Sequence, residues 1–550
     1  MSLAPLTVLR RFRGHDASLA DFLASRVEVQ PDAPLILFEG ETISAGRFAA
    51  EVERAAALLA ARGIGAGDRL GVLSTNHPTT LVLLFACARL GAILVPANPD
   101  YGVEEAAYVF GNAGIAGLVA APGTLAVAEA ARARLAPQPW LLLNERADGV
   151  AVELLADALA TTHAAPPPPV TDGADRTCLL VYTSGTTGFP KGVMHGQRGI
   201  VLSGEAFVAR MHLQPGDRLL CVLPLFHINA LFYSACGAIA CGGSVAVARR
   251  FSASTFWRTV AETGATETNL MAAAAKILML RPESEFVPGH RLRKAFIAPL
   301  TDEMIEAFTH RFGVPHLIEG YGMTEIPGAL ANPFDGERKR GSVGVISPHP
   351  DPAVPRPALR LVDDALDEVP DGTPGELLFR TPTLMQGYWN APEATAAAFH
   401  DGWFRTGDLM LREPDGYLRF IARKKDIIRR RGENISGAEL DRVIGAHPAV
   451  AEVATIGVPS ELGDEEVLAA VVLRPGMHAT AAEIADWVRA RLAAYKVPRF
   501  VAFVPALPQT ATQRIEKYRL RGDTALLAAA EDLAPSPQTN RTNAGKETVR

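Results

Sequence analysis

Apolar positions along the chain fall into two alternating textures. Residues 48–62 are alanine-rich and predict a helix, 63–68 (Gly-Ile-Gly-Ala-Gly-Asp) read as a turn, and 69–74 form a short apolar strand. Residues 81–90 predict a second helix and 92–96 a second strand. Short apolar strands alternating with helices predict an α/β sheet covered by helices. The proline run 166–169 reads as an exposed, extended connector. After about residue 425 the texture changes, and 438–444, 450–458, 466–473 and 481–492 predict a small α+β unit. The chain thus divides into a large N-terminal region (1–424), a small C-terminal domain (425–522) and a tail (523–550). The tail opens on a short alanine-rich run and ends in Pro, Ser, Asn and Thr, which predicts disorder from about Pro535 onward.

Residues 230–248 carry no charge and approach the roughly 20 residues that span a bilayer. Gly242-Gly243 interrupts them, so they predict a buried helix, a turn and a buried strand at 244–248, and no integral membrane segment. With 48% hydrophobic residues in 550, there is material for more than one core. Charge is mild, 54 Lys+Arg against 60 Asp+Glu, and no long basic stretch suggests a nucleic-acid partner. Five cysteines are scattered without CxxC spacing, which reads as buried, reduced thiols. The first 13 residues hold arginines but no apolar run after them, unlike a signal peptide. Both features point to the cytoplasm.

Residues 179–192, LLVYTSGTTGFPKG, carry the strongest chemical signal. An apolar strand enters a loop of glycine and hydroxyl residues (Thr183, Ser184, Gly185, Thr186, Thr187, Gly188) that ends in Lys191. Glycines let backbone N–H groups turn toward an anion, hydroxyls add donors and the lysine adds a point charge, which suits polyphosphate. The GxxxxGK[ST] spacing of a Walker A loop is absent.

TSGTTGFPKGV resembles the phosphate-loop signature of the acyl-adenylate-forming superfamily, which includes acyl-CoA ligases, luciferases and peptide-synthetase adenylation domains. Further motifs follow in the family's order: LFACARLGAILVPANP (84–99), PLFHINAL (224–231), GYGMTE (320–325), GELLFRTPTLMQGYW (375–389), GWFRTGDL (402–409), ARKKDIIRRRGENISGAELD (422–441) and YKVPR (495–499). The resemblance covers roughly residues 20 to 520. It implies a large, multi-subdomain α/β adenylate-forming domain with a small, mobile α+β C-terminal domain. It also implies two half-reactions: a carboxylic acid reacts with ATP to give an acyl-adenylate and pyrophosphate, then coenzyme A takes the acyl group and AMP leaves.

The resemblance assigns residues to those steps. Lys191 and the loop would hold phosphates. In GYGMTE, with Gly320 and Gly322, Tyr321 offers a face for adenine, Thr324 an α-phosphate donor and Glu325 a magnesium ligand, a hard carboxylate beside phosphate oxygens. Asp408 and Arg423 would hold the ribose; without the resemblance each would read as an ordinary surface charge. His227, which alone would read as a core histidine, and Asn229 would border the acyl pocket. Lys425 stands at the family's hinge, and the loop with Gly432 would enter the site for thioester formation. The basic residues 429–431 read equally as coenzyme A phosphate partners or as a solvated face. The family also allows a homodimer.

Three departures stand out. The late PxTxTGK motif reads here PQTATQR, so Arg514 replaces the adenylation lysine, with Lys517 as the alternative cation. Arginine is planar and bulkier, so this exchange is not conservative. Phe296 and Ile297 stand where relatives have small residues beside the acyl pocket, and two readings stay open: one of the two, by strand alternation, faces the pocket and predicts a small carboxylic acid, or both pack into the sheet and His227, Asn229 and Phe232 shape the pocket. Gln197 stands where many relatives have histidine. Two further readings stay open: an enzyme that loads a carrier-protein thiol, and a catalytically weak nucleotide-binding member, the latter supported only by Arg514.

Overall fold

The computed structural model describes residues 2–183, 190–430, 433–459, 465–509 and 515–533. Two compact units result: 1–406 with 411–420, and 407–410 with 421–550. The strand Trp403–Arg412 thus contributes to both.

The large unit is built on two seven-stranded sheets. In the first, His316–Ile318, Lys294–Ala298, Glu267–Met271, Arg218–Cys221, Ser244–Val247 and Pro34–Phe38 run parallel, and Glu41–Ser44 closes the edge as an antiparallel hairpin. In the second, Ile93–Ala97, Arg69–Leu73, Gly117–Ala120 and Trp140–Leu143 are parallel neighbours. At its other end Thr177–Thr183 turns back antiparallel through Lys191–Gly196, and Gly387–Tyr388 adds to that edge. A third sheet includes Ala358–Val362 and Gly375–Arg380.

The main core draws on both seven-stranded sheets and on helices apolar around most of their circumference. Helix Pro78–Leu90 buries 11 of its 13 residues, and Gln197–Arg210 buries most of its own. Gln197 joins this core through its amide: its Oε1 accepts the Leu19 N–H (2.8 Å) and its Nε2 donates to the Ala88 carbonyl (2.9 Å). It ties the first long helix to the helical layer, a structural use of a position read as a departure.

The uncharged stretch 230–248 folds as Asn229–Cys236 in π-helical turns, Gly237–Cys241 in α-helix, a Gly242 turn at φ +77° and the buried strand Ser244–Val247. No helix among the described residues is long and apolar enough to cross a membrane. All five cysteines are buried and free.

In the small unit, Val450–Pro459 and Glu465–Leu473 form a long antiparallel pair, extended by Phe500–Phe503 and Glu531–Asp532. Helices Gly437–Gly445 and Ala481–Arg489 cover one face. Lys517–Arg521 and Thr524–Ala529 cover the other. The expected tail therefore begins too early at 523. Asp523 caps the last helix, Leu526 is buried and Glu531–Asp532 joins the sheet, because the alanine-rich run carries leucines that the open sheet face can bury. Residues 534–550 lie outside the described set.

Candidate active site

Thr183 and Lys191 are partners across the antiparallel pair, so the sheet fixes both ends of the glycine- and hydroxyl-rich segment. Ser184, Gly185, Thr186, Thr187 and Gly188 lie outside the described residues.

GYGMTE opens a β-hairpin. Met323 faces Ile326 across strands Gly320–Met323 and Ile326–Ala331, which leaves Thr324 and Glu325 as the two turn residues. The glycines answer to packing. A Cβ on Gly322 would lie 2.8 Å from the Gly328 nitrogen, and one on Gly320 would lie 2.6 Å from the Leu330 oxygen and 3.1 Å from the Phe296 ring. Tyr321 places its hydroxyl 3.9 Å from the Met323 sulfur.

The hairpin tip is held by a segment distant in sequence. The Met385 N–H donates to the Glu325 carbonyl and the Tyr388 hydroxyl donates to Glu325 Oε1, both at 2.9 Å. Tyr388 pairs with Val193, two residues beyond Lys191, and Lys191 Nζ lies 5.2 Å from the Tyr388 ring centroid. A cation, an aromatic ring and a buried carboxylate from three separate motifs thus form one cluster. Burial, then the Glu325 charge, pushes the Tyr388 phenol well above its ordinary range, so it stays a donor. The sequence reading missed Tyr388 as a site residue. Its only signal was its place in a quoted motif, because its strand pairing with Lys191–Gly196 is a tertiary fact.

Phe296 and Ile297 part company as alternating strand residues must. Phe296 stands edge-on to Phe207 and Tyr233, at centroid distances of 6.0 and 6.2 Å. Ile297 is fully buried on the other face with Trp257 and Phe308, so it cannot share the Phe296 face. His227 tilts against Phe226 (4.3 Å) and begins the turn that leads to Asn229. Its Nε2 and the Asn229 Oδ1 are buried without hydrogen-bond partners among the described residues. Burial pushes the His227 ring down to about 4, so it is neutral near pH 7 and suited to shaping a pocket. His195, not singled out in the sequence, is buried edge-on to Phe232 at 5.1 Å beside the Thr324 backbone; burial takes it to about 4 as well.

Glu319, just before GYGMTE, is a further buried group. Its Oε1 accepts the Leu300 N–H at 3.0 Å, and burial, partly offset by that bond, raises its carboxyl to about 7. Between the unfolded value near 4.5 and about 7, the folded state binds the extra proton, so stability falls as pH rises through this window and levels off above it. Glu319→Gln keeps an acceptor without the charge. Melting-temperature profiles from pH 5 to 8 are expected to fall less steeply for this variant, by up to roughly 3 kcal/mol at the alkaline end. Parallel profiles would reject the assignment.

In the small unit Asp408, 1% exposed, lies with its Oδ1 3.2 Å from Arg423 Nε, so the two expected ribose residues are neighbours. Lys425 sits in the short turn Lys424–Asp426. Of the basic run, Arg430 is structural: its Nε lies 2.5 Å from Glu466 and its Nη1 donates to the Tyr495 and Val497 carbonyls at 2.8 Å. Arg429 is exposed. Lys517 Nζ lies 2.5 Å from Asp441 and donates to the Thr455 carbonyl at 3.0 Å, so its charge is already engaged. Gly432 and Arg514 lie outside the described residues.

The family model described as AMP-binding enzyme matches residues 23–389, and the AMP-binding enzyme C-terminal domain matches 439–514. A sulfoacetate–CoA ligase of Cupriavidus necator is 34% identical, the alignment covering 92% of this chain and 97% of that one. An indoleacetate–CoA ligase of Aromatoleum aromaticum is 33% identical over the same shares. Among solved structures, ATP-bound MatB from Rhodopseudomonas palustris superposes with a TM-score of 0.82 at 29% identity, covering 92% of this chain and 98% of that one. An anthranilate CoA ligase holding anthranoyl-AMP gives a TM-score of 0.83 at 25% identity, with 93% and 98% covered. The matched family models and the CoA-ligase relatives agree: this chain belongs to the AMP-binding, acyl-adenylate-forming enzyme family.

Proposed function

We propose that the chain is an ATP-dependent acid–CoA ligase acting on a compact carboxylic acid. The observation that carries this is the convergence of Lys191, Tyr388 and Glu325 at the ends of the two phosphate-handling motifs. In the first half-reaction a carboxylate oxygen bonds to the α-phosphorus of ATP as the bond to the β-phosphate oxygen breaks, and pyrophosphate leaves. Such a transfer depends on positioning and charge complementarity, without a protein nucleophile. Lys191 offers a cation to the phosphates and Thr324 a hydroxyl at the hairpin tip. Asp408, with Arg423, takes the ribose hydroxyls. In the second half-reaction the coenzyme A thiolate attacks the acyl carbonyl and AMP leaves; the mixed anhydride is activated enough to need no strong base.

A single hard carboxylate suits magnesium, which takes one or two carboxylates when phosphates supply other ligands. Glu325 fits: it is buried, and the phenol occupies Oε1 and leaves Oε2 for the ion. Magnesium bound there would offset charge on the phosphate oxygens. The hinge at Lys425, a Gly432 loop that approaches the thioester, a cytoplasmic location and a homodimer belong to the same reading by family likeness. Arg514 takes the adenylation role, since Lys517 is held by Asp441.

Phe296 is the side chain that shortens the acyl pocket, and its contacts with Tyr233 and Phe207 leave it little room to swing aside. Acyl-CoA formation across a chain-length series tests this. Wild type is expected to prefer short or compact acids, Phe296→Gly to extend the accepted length, and Ile297→Gly to lose stability without extending it. A wild-type preference for long chains, or no extension in Phe296→Gly, would reject the compact-acid reading.

A further inference from the structure

We infer that Tyr388 is a positioning residue that orients Glu325 and Lys191 together for the metal–nucleotide complex; this rests on the ligase reading above. Three features support it. First, Tyr388 sits in register with the phosphate-loop hairpin. It faces Val193 across the antiparallel pair, and Lys191, two residues earlier, shares that face and lies on the diagonal, where long side chains reach a ring. Second, the backbone of Tyr388 is fixed: its N–H donates to Thr395 Oγ1 at 2.9 Å, and that hydroxyl donates to the Ala391 carbonyl at 3.0 Å. Third, one phenol bond and one ring face serve two charges of opposite sign. The hydroxyl holds Glu325 Oε1, and the ring carries the Lys191 ammonium 5.2 Å from its centroid.

The terminal torsion of a glutamate is broad and roughly twofold, so an unrestrained Glu325 carboxylate would rotate. The Tyr388 hydroxyl restrains that rotation by holding Oε1, while the Met385 N–H holds the Glu325 backbone carbonyl and so fixes the turn that carries the side chain. Hydrogen-bond partners of metal-ligating carboxylates typically contribute 10- to 100-fold in metal affinity. The ring holds Lys191 in the same way through its π face, and among the described residues no carboxylate pairs with that ammonium, which leaves it to meet phosphate. Phenylalanine would serve the lysine but not the glutamate, and leucine neither, so the two functions can be separated.

The test uses the full chain and two titrations. Manganese with a non-hydrolysable ATP analogue, followed by electron paramagnetic resonance, reports metal–nucleotide affinity without turnover. Magnesium dependence of pyrophosphate exchange reports the working enzyme. Tyr388→Phe is expected to weaken manganese–analogue binding about tenfold and to shift the magnesium requirement of exchange upward in parallel, with added magnesium recovering part of the loss. Tyr388→Leu is expected in addition to raise the KM for ATP. If Tyr388→Phe matches wild type in both titrations, or loses only melting temperature, the positioning role is wrong. If wild type forms no acyl-CoA at all, the ligase reading falls, while the manganese titration still decides the role of Tyr388.

Discussion

Lys191→Ala and Glu325→Ala are each expected to lower pyrophosphate exchange about 30- to 1,000-fold, the equivalent of about 2–4 kcal/mol of lost stabilisation. Lys191 stands at the exit of the glycine- and hydroxyl-rich segment, in register with Thr183 and over the Tyr388 ring. Its removal takes away a cation that no other described residue of the cluster supplies. Glu325 is 7% exposed, at the tip of a two-residue turn. Its loss also strands the half-buried Tyr388 phenol, at about 1 kcal/mol of stability, the low end for an unpaired donor that water can reach. Glu325→Gln separates the effects, because it keeps an acceptor for the phenol and removes the charge. It is expected to restore melting temperature without restoring exchange. Near-normal exchange in both alanine variants would overturn the site.

Arg514→Ala is expected to reduce the adenylation half-reaction by about 100- to 1,000-fold, on the same electrostatic footing. Lys517→Ala is expected to act differently. Lys517 is paired with Asp441 and the Thr455 carbonyl, and burial already raises the Asp441 carboxyl. Removing the lysine leaves that carboxylate without its cation, at a stability cost of about 1–3 kcal/mol. The signature is a lower melting temperature with exchange per folded molecule within a few-fold of wild type. Pyrophosphate exchange and thermal unfolding on the two variants distinguish them. The opposite pattern, exchange lost in Lys517→Ala and kept in Arg514→Ala, would return the adenylation role to Lys517.

Much of the fold was legible because it is local. The helix Ala45–Ala61, the turn after it and the strand Arg69–Leu73 follow from alanine content, glycine punctuation and a short apolar run. The break at Gly242 correctly divided an apolar stretch that length alone would have assigned to a membrane. The site was legible only as far as each motif carries its own chemistry. Lys191 and Glu325 could be named from sequence, but not the phenol between them, because Tyr388 reaches them by strand pairing with Val193, 195 residues away in the chain. The basic run 429–431 shows the converse. Charge pattern alone leaves Arg430 open to a phosphate role, yet its guanidinium is spent on Glu466 and two carbonyls of the Tyr495–Val497 segment. Alternation predicted that Phe296 and Ile297 would face opposite ways, but only packing decides which one meets Tyr233.

Incubating the chain with ATP, magnesium, free coenzyme A and a broad panel of carboxylic acids, and analysing the products by mass spectrometry, decides whether it is an acid–CoA ligase. An acyl-CoA is expected from at least one compact acid, with AMP and pyrophosphate formed in equal amounts and neither product formed when the acid is omitted. Formation of ADP and phosphate instead, or acyl-adenylate that accumulates without ever passing to coenzyme A across the panel, would contradict that assignment.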